Sequence, residues 1–78
     1  MITLRLFAQA REAAGEKVAH FDGSTVGEIL AAAVAAFGPD FAAVLEGSKV
    51  WLNGSPAVEA DIVSEGDEVA VLPPVSGG

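Results

Sequence analysis

Gly77 and Gly78, the last two residues of the sequence, have the greatest chemical reach in the chain. A dipeptide without side chains can pass where backbone must run close to protein or nucleotide atoms. Pro73 and Pro74 end the apolar pattern ahead of it. From there Val75, Ser76, Gly77 and Gly78 extend about 13 Å at ~3.3 Å per residue, enough to carry an α-carboxylate into a partner's buried site. A carboxylate is a poor electrophile at neutral pH because oxide would have to leave. A mixed anhydride with AMP removes that obstacle, and a sulfur nucleophile can then displace AMP to leave a thiocarboxylate. In this way a chain with no cysteine can still carry sulfur.

The remaining residues offer little other chemistry. His20 is the only histidine, at an alternating position that reads as a half-exposed strand site. Asp67 and Glu68 follow Gly66 where a solvated hairpin end explains them without a metal. Gly23, Gly27, Gly38, Gly47 and Gly54 are scattered singly and make no phosphate-cradling loop. The absence of cysteine excludes a disulfide framework, thiolate metal sites and a cysteine nucleophile. Eleven Asp and Glu against four Lys and Arg give a formal charge of −7. That balance argues against nucleic acid, whose binding needs clustered cations, and points to a basic protein partner. The longest uncharged stretch, Ile29 to Pro39, is far short of the ~18 apolar residues that suggest a membrane span. The amino terminus has Arg5 where a secretory signal would be apolar, so the expected location is the cytoplasm.

Seventy-eight residues, 51% apolar and 19% charged, suffice for one small domain. Ile2, Leu4, Leu6 and Ala8 alternate with Thr3, Arg5, Phe7 and Gln9, which predicts a first strand over Ile2 to Ala8. Ala10 to Ala14 reads as at most one helical turn before Gly15. A second strand is expected from Glu16 to Phe21, antiparallel to the first. Thr25 and Glu28 form the pattern of a capping box, with Glu28 reaching back to the Thr25 backbone. Val26, Ile29, Leu30, Ala33, Val34 and Phe37 then mark one helical stripe, stopped by a left-handed Gly38 and by Pro39. Asp40 to Glu46 reads as another short helix or turn with Phe41, Val44 and Leu45 inward. Lys49 to Leu52 is a strand that turns at Asn53-Gly54. A short edge strand is expected over Ala57 to Glu59, and a last strand over Glu68 to Leu72. The expected fold is α+β, a β-grasp (ubiquitin-like) arrangement. It has a mixed five-stranded sheet, one main helix packed on one face, a body over residues 1–72 and a flexible tail over 73–78.

Three segments carry a family resemblance: Phe7-Ala8-Gln9-Ala10-Arg11-Glu12-Ala13-Ala14-Gly15, Glu65-Gly66-Asp67-Glu68-Val69-Ala70, and Pro73-Pro74-Val75-Ser76-Gly77-Gly78. They closely resemble the small subunit of molybdopterin synthase, the MoaD family of ubiquitin-like sulfur carriers within the MoaD/ThiS superfamily. The resemblance implies that a ubiquitin-activating-type adenylyltransferase uses Mg-ATP to activate Gly78, with no cofactor bound by the chain itself. A sulfurtransferase then installs sulfur. The tail enters the large subunit of a heterotetrameric synthase and gives its sulfur to the dithiolene formed from cyclic pyranopterin monophosphate. Gly78 is the reacting residue, Gly77 keeps the approach slender, and Pro73, Pro74, Val75 and Ser76 position the tail, while the active site lies in the large subunit. The alternatives are a sulfur carrier for thiamine thiazole or cysteine synthesis, a ubiquitin-like modifier of lysines, and an interaction domain with an inert tail.

Alternation sends Leu4, Leu6, Val50, Leu52, Val69 and Val71 under the helix. It sends Phe7, Trp51 and Leu72 to the opposite, uncovered face, where large apolar residues mark an interface. Glu12, Asp67 and Glu68 are expected to form an acidic rim that steers a basic partner.

Overall fold

The computed structural model describes residues 1–74. The elements are β1 (Ile2–Leu6), α1 (Ala8–Ala14), β2 (Val18–Phe21), α2 (Val26–Phe37), α3 (Pro39–Glu46), β3 (Lys49–Leu52), β4 (Ser55–Pro56) and β5 (Glu68–Leu72). The five strands form one sheet in the order β2-β1-β5-β3-β4. β5 runs parallel to β1 and antiparallel to β3, and β2 is antiparallel to β1. This is the β-grasp fold. Burial alternates along β1 and β5, which places Leu4, Leu6, Val69 and Val71 in the core and leaves the other sheet face uncovered.

Tertiary packing accounts for the departures from the sequence reading. α1 is a seven-residue helix rather than a single turn. Its Ala10 is fully buried and the helix packs against α3, so contact with the body offsets the nucleation cost that a short helix cannot meet alone. The first strand accordingly ends at Leu6 instead of Ala8, with Phe7 as the extended cap residue and Ala8 at φ 49°. The second strand starts at Val18 instead of Glu16, where its pairing with Arg5 begins. Asp40 to Glu46 belongs to a true helix that seals one end of the core. Phe41 is fully buried and stacks edge-on against Phe37 at 5.2 Å, and Phe37 in turn meets Phe21 at 6.0 Å. The core thus lies under three helices, of which α2 is the main one.

The capping box uses the expected residues with one shift. Thr25 Oγ1 accepts the Glu28 N–H at 3.2 Å, but Glu28 Oε1 accepts from the Ser24 N–H at 2.8 Å, one residue earlier than expected. Gly38 has φ 93° and ψ −172°, an extended positive-φ conformation open essentially to glycine alone, rather than the left-handed helical one.

The edge strand expected over Ala57 to Glu59 is absent, and β4 is the two residues Ser55–Pro56 that close the Asn53-Gly54 turn. Beyond them only the Ala57 N–H still pairs with β3, at the Val50 carbonyl. The chain then crosses to the start of α2, where the Glu59 and Asp61 carbonyls accept from the Gly27 and Val26 N–H groups at 2.9 Å each. Donors at a helix start have no partner inside the helix, so they recruit this segment away from the sheet edge.

Two substitutions test these assignments. Thr25→Ala is expected to lower stability by about 1 kcal/mol in urea denaturation through loss of the cap. Ala8→Gly is expected to raise stability or leave it unchanged, although glycine inside a helix normally costs about 1 kcal/mol relative to alanine, because the positive φ at position 8 suits glycine.

Candidate functional site

The site is organised around the end of β5. Leu72 pairs in register with Lys49, and together with Gly47, Trp51, Pro73 and Pro74 they line a depression of about 410 Å³. Pro73 is buried and Pro74 exposed, so the chain is held by the body one residue past the strand. The neighbouring strand reaches the same end. Leu6 pairs with Val71, and the next residues, Phe7 and Leu72, continue side by side in direction. Phe7 is 43% exposed and Leu72 half-buried. Val75, Ser76, Gly77 and Gly78 lie outside the described residues.

Trp51 stands on the uncovered sheet face one strand in from the β4 edge. Its partner is Ala70, which pairs with Arg5, which pairs with Val18; on its other side stands Pro56. One row, Val18-Arg5-Ala70-Trp51-Pro56, therefore crosses all five strands. Phe7, Trp51 and Leu72 were legible as members of this surface, whereas Val18, at 37% exposure, and Arg5 were not. The alternation that singled out Trp51 applies equally to them, but only the strand order shows that they share its row.

The expected acidic rim is divided. Glu12 is exposed on α1, at the tail end of the sheet. Asp67 and Glu68 sit at the opposite end of β5, about 13 Å from Leu72 at ~3.3 Å per residue. Both have local partners. Glu68 is ion-paired with Arg5, and its N–H donates to Asn53 Oδ1 at 2.9 Å. Asp67 accepts from the Ser64 N–H at 2.8 Å and from Asn53 Nδ2 at 3.1 Å. The Ser64 bond first, and the Asn53 bond second, hold its carboxyl below the ordinary value near 3.8. Asn53, read from the sequence as a turn residue, thus ties the β3–β4 turn to the start of β5.

His20 is exposed on the uncovered face opposite Thr3. Among the described residues there is no cluster of three or more metal-ligating side chains, and no helix is long and apolar enough to cross a membrane.

The sequence model of the ThiS family matches residues 4–78, nearly the full chain. The chain belongs to the ThiS family. Its body is that of a ubiquitin-like sulfur carrier, and its sheet face opposite the helices is uncovered. The small archaeal modifier protein 1 of Haloferax volcanii is 36% identical over an 85-residue alignment that covers 95% of this chain and 97% of that protein. A crystal structure of that modifier superposes with a TM-score of 0.82 at 35% identity, covering 99% of this chain and 98% of that one. A putative molybdopterin converting factor subunit 1 from Pyrococcus furiosus shares the fold, with a TM-score of 0.81 at 22% identity over 95% and 97% of the two chains.

Asp67 provides a pH test. Its folded-state pKa is lowered, so its contribution is present above the unfolded value and is lost as pH falls through the folded pKa. Stability of the parent protein is expected to decline on acidification below about pH 3.8 by more than that of Asp67→Asn. Urea midpoints measured across that range check this; parallel curves would mean that the two hydrogen bonds do not favour the ionised form.

Proposed function

We propose that this chain acts as a ubiquitin-like protein modifier through the carboxylate of Gly78. The observation that carries the reading is the 36% identity, over nearly the whole of both chains, to an archaeal modifier protein. In this reading residues 1–72 are the recognition body and 73–78 the reacting tail, rooted at the buried Pro73. A ubiquitin-activating-type adenylyltransferase supplies Mg-ATP. The Gly78 carboxylate oxygen attacks the α-phosphorus of ATP and pyrophosphate leaves. A lysine amine of the target then attacks the carbonyl carbon, the bond to AMP breaks, and loss of a proton leaves an isopeptide. Leu72 is the last residue paired in the sheet, so no strand pairing among the described residues involves the reacting glycine.

A second reading shares the adenylate and parts from the first at the next step. The terminal sulfur of a persulfide on a sulfurtransferase attacks the same carbonyl carbon, the bond to AMP breaks, a second thiol then takes the transferase sulfur as a disulfide, and the thiocarboxylate left on Gly78 serves the large subunit of a molybdopterin synthase. Its support is the Phe7 to Gly15 segment, which forms the cap and helix of α1 beside the end of β5. A large subunit that receives the tail would meet this segment first.

Intact-mass measurement after incubation with ATP, the cognate activating enzyme, a sulfur donor and a lysine-bearing acceptor protein separates the two. Isopeptide adducts joined through Gly78 support the modifier. A product in which one oxygen is replaced by sulfur, with no adducts, supports the carrier for molybdopterin. Deleting Gly77 and Gly78 is expected to abolish both products without lowering the melting temperature. Products that persist after the deletion would remove the basis of either reading.

A further inference from the structure

A second surface lies between the main helix and the β3–β4 edge of the sheet, where it meets the row described above only at Trp51 and Pro56. Val50 and Leu52 point toward the core but are only half-buried, because β4 is too short to carry the sheet past them. The result is an open groove of about 910 Å³ between α2 and the 56–59 segment. Leu30 and Val34 form one wall, Val50 the floor, and Val58 the far wall. Val58 is 65% exposed, a large apolar side chain left in water beside other apolar surface.

The far wall is fixed in place. The Gly27 N–H bonds to the Glu59 carbonyl and the Val26 N–H to the Asp61 carbonyl. A Cβ at Gly27 would stand 3.1 Å from Glu59 Cβ and 3.2 Å from the Glu59 carbonyl oxygen, so the glycine permits this close approach. Thr25 and Ile62 add a β-bridge just beyond it. A groove with both walls held by the fold loses little entropy when it is filled.

Charge selects the occupant. Glu59 at one end and Glu46 at the other carry exposed carboxylates with no ion-pair partner among the described residues, and Lys49 lies beside Glu46. The Glu59 carboxylate is therefore the one in the groove lining with no cation beside it in sequence. A second copy would bring a further charge of −7 against this rim, which disfavours self-docking.

We propose that this groove binds an apolar segment of a partner protein that bears a basic residue, with the cation placed against Glu59 and the apolar side chains between α2 and Val58. The proposal does not depend on the reaction at Gly78.

The test is an NMR titration of the full chain with two short synthetic peptides. Both have the same Leu/Ile/Ala core, one with Arg-Arg at one end and the other with Glu-Glu. The Arg-Arg peptide is expected to shift the amide resonances of Ala31, Val34, Val50 and Val58 while leaving Arg5, His20 and Ala70 unmoved. Glu59→Gln should weaken that binding by about tenfold at low salt. Val58→Asp, an exposed substitution that spares the core, should abolish the apolar contact with the spectrum otherwise retained. Equal binding of the two peptides, shifts on the uncovered sheet face, no binding, or concentration-dependent shifts of the protein alone would each overturn the proposal.

Discussion

The position of β5 between β1 and β3 constrains the rest of the molecule. A strand paired on both sides must bury one face completely, and Val69 and Val71 are fully buried. Because β5 is parallel to β1, it ends where β1 hands over to α1. Because it is antiparallel to β3, it also ends where β3 begins. Three chain segments therefore meet at Leu72: Phe7 with the start of α1, Gly47 to Lys49, and the Pro73-Pro74 pair. The tail root is thus fixed by the pairing of the central strand, and its neighbours are fixed by topology rather than by any contact of their own. The burial of Pro73 follows, since the residue after Leu72 in the alternation turns back to the covered face.

Charge is distributed according to the same geometry. The carboxylates at the start of β5 are taken up locally: Glu65 pairs with the Met1 ammonium, Asp67 closes the turn through Ser64 and Asn53, and Glu68 pairs with Arg5. These contacts are exposed and contribute modestly to stability. Their greater effect is to remove directed acidity from that end of the sheet. The acidic groups left to meet a partner lie on helices and loops, among them Glu12, Glu46 and Glu59. A net charge of −7 acts at long range on encounter, and that influence weakens within about a Debye length of 10 Å at 0.1 M salt.

Element identity was legible wherever periodicity and caps agreed. Lys49 to Leu52 and Glu68 to Leu72 have the predicted bounds, and α2 lies between Thr25 and Gly38 as its cap and stop residues indicate. The reading failed where a distant segment decided the outcome. Ala10 to Ala14 has too few residues to nucleate alone, and nothing local announces that Ala10 will be buried against α3. Ala57 to Glu59 has the composition of an edge strand, but the bare N–H groups of α2 claim its carbonyls. The same limit applies at the site. Phe7, Trp51 and Leu72 are visible by alternation, whereas the row that joins Trp51 to Arg5 and Val18 needs the order of strands. Asp67 was read as closing a turn and Glu68 as opening the last strand, as the structure has them, but their distance from the end of β5 depends on which way that strand runs.

A terminal glycine pair provides almost no side-chain information by which one enzyme could tell this protein from another of the same fold. Adenylation of a backbone carboxylate is the same reaction whether sulfur or a lysine amine follows. Discrimination between those fates must therefore come from the side chains of the body. Two surfaces here present apolar side chains to solvent on backbone that the fold holds in place. The five-strand row around Trp51 lies on the sheet face, and Leu72 continues that face to the tail root. The groove under Val58 lies on the helical side, its wall fixed by Gly27. In the proposed function, a partner that acts on Gly78 has reason to hold the face nearest Leu72. The groove opens toward α2 and shares Trp51 and Pro56 with the edge of the row, so a partner on the sheet face and one in the groove meet at β3 and β4.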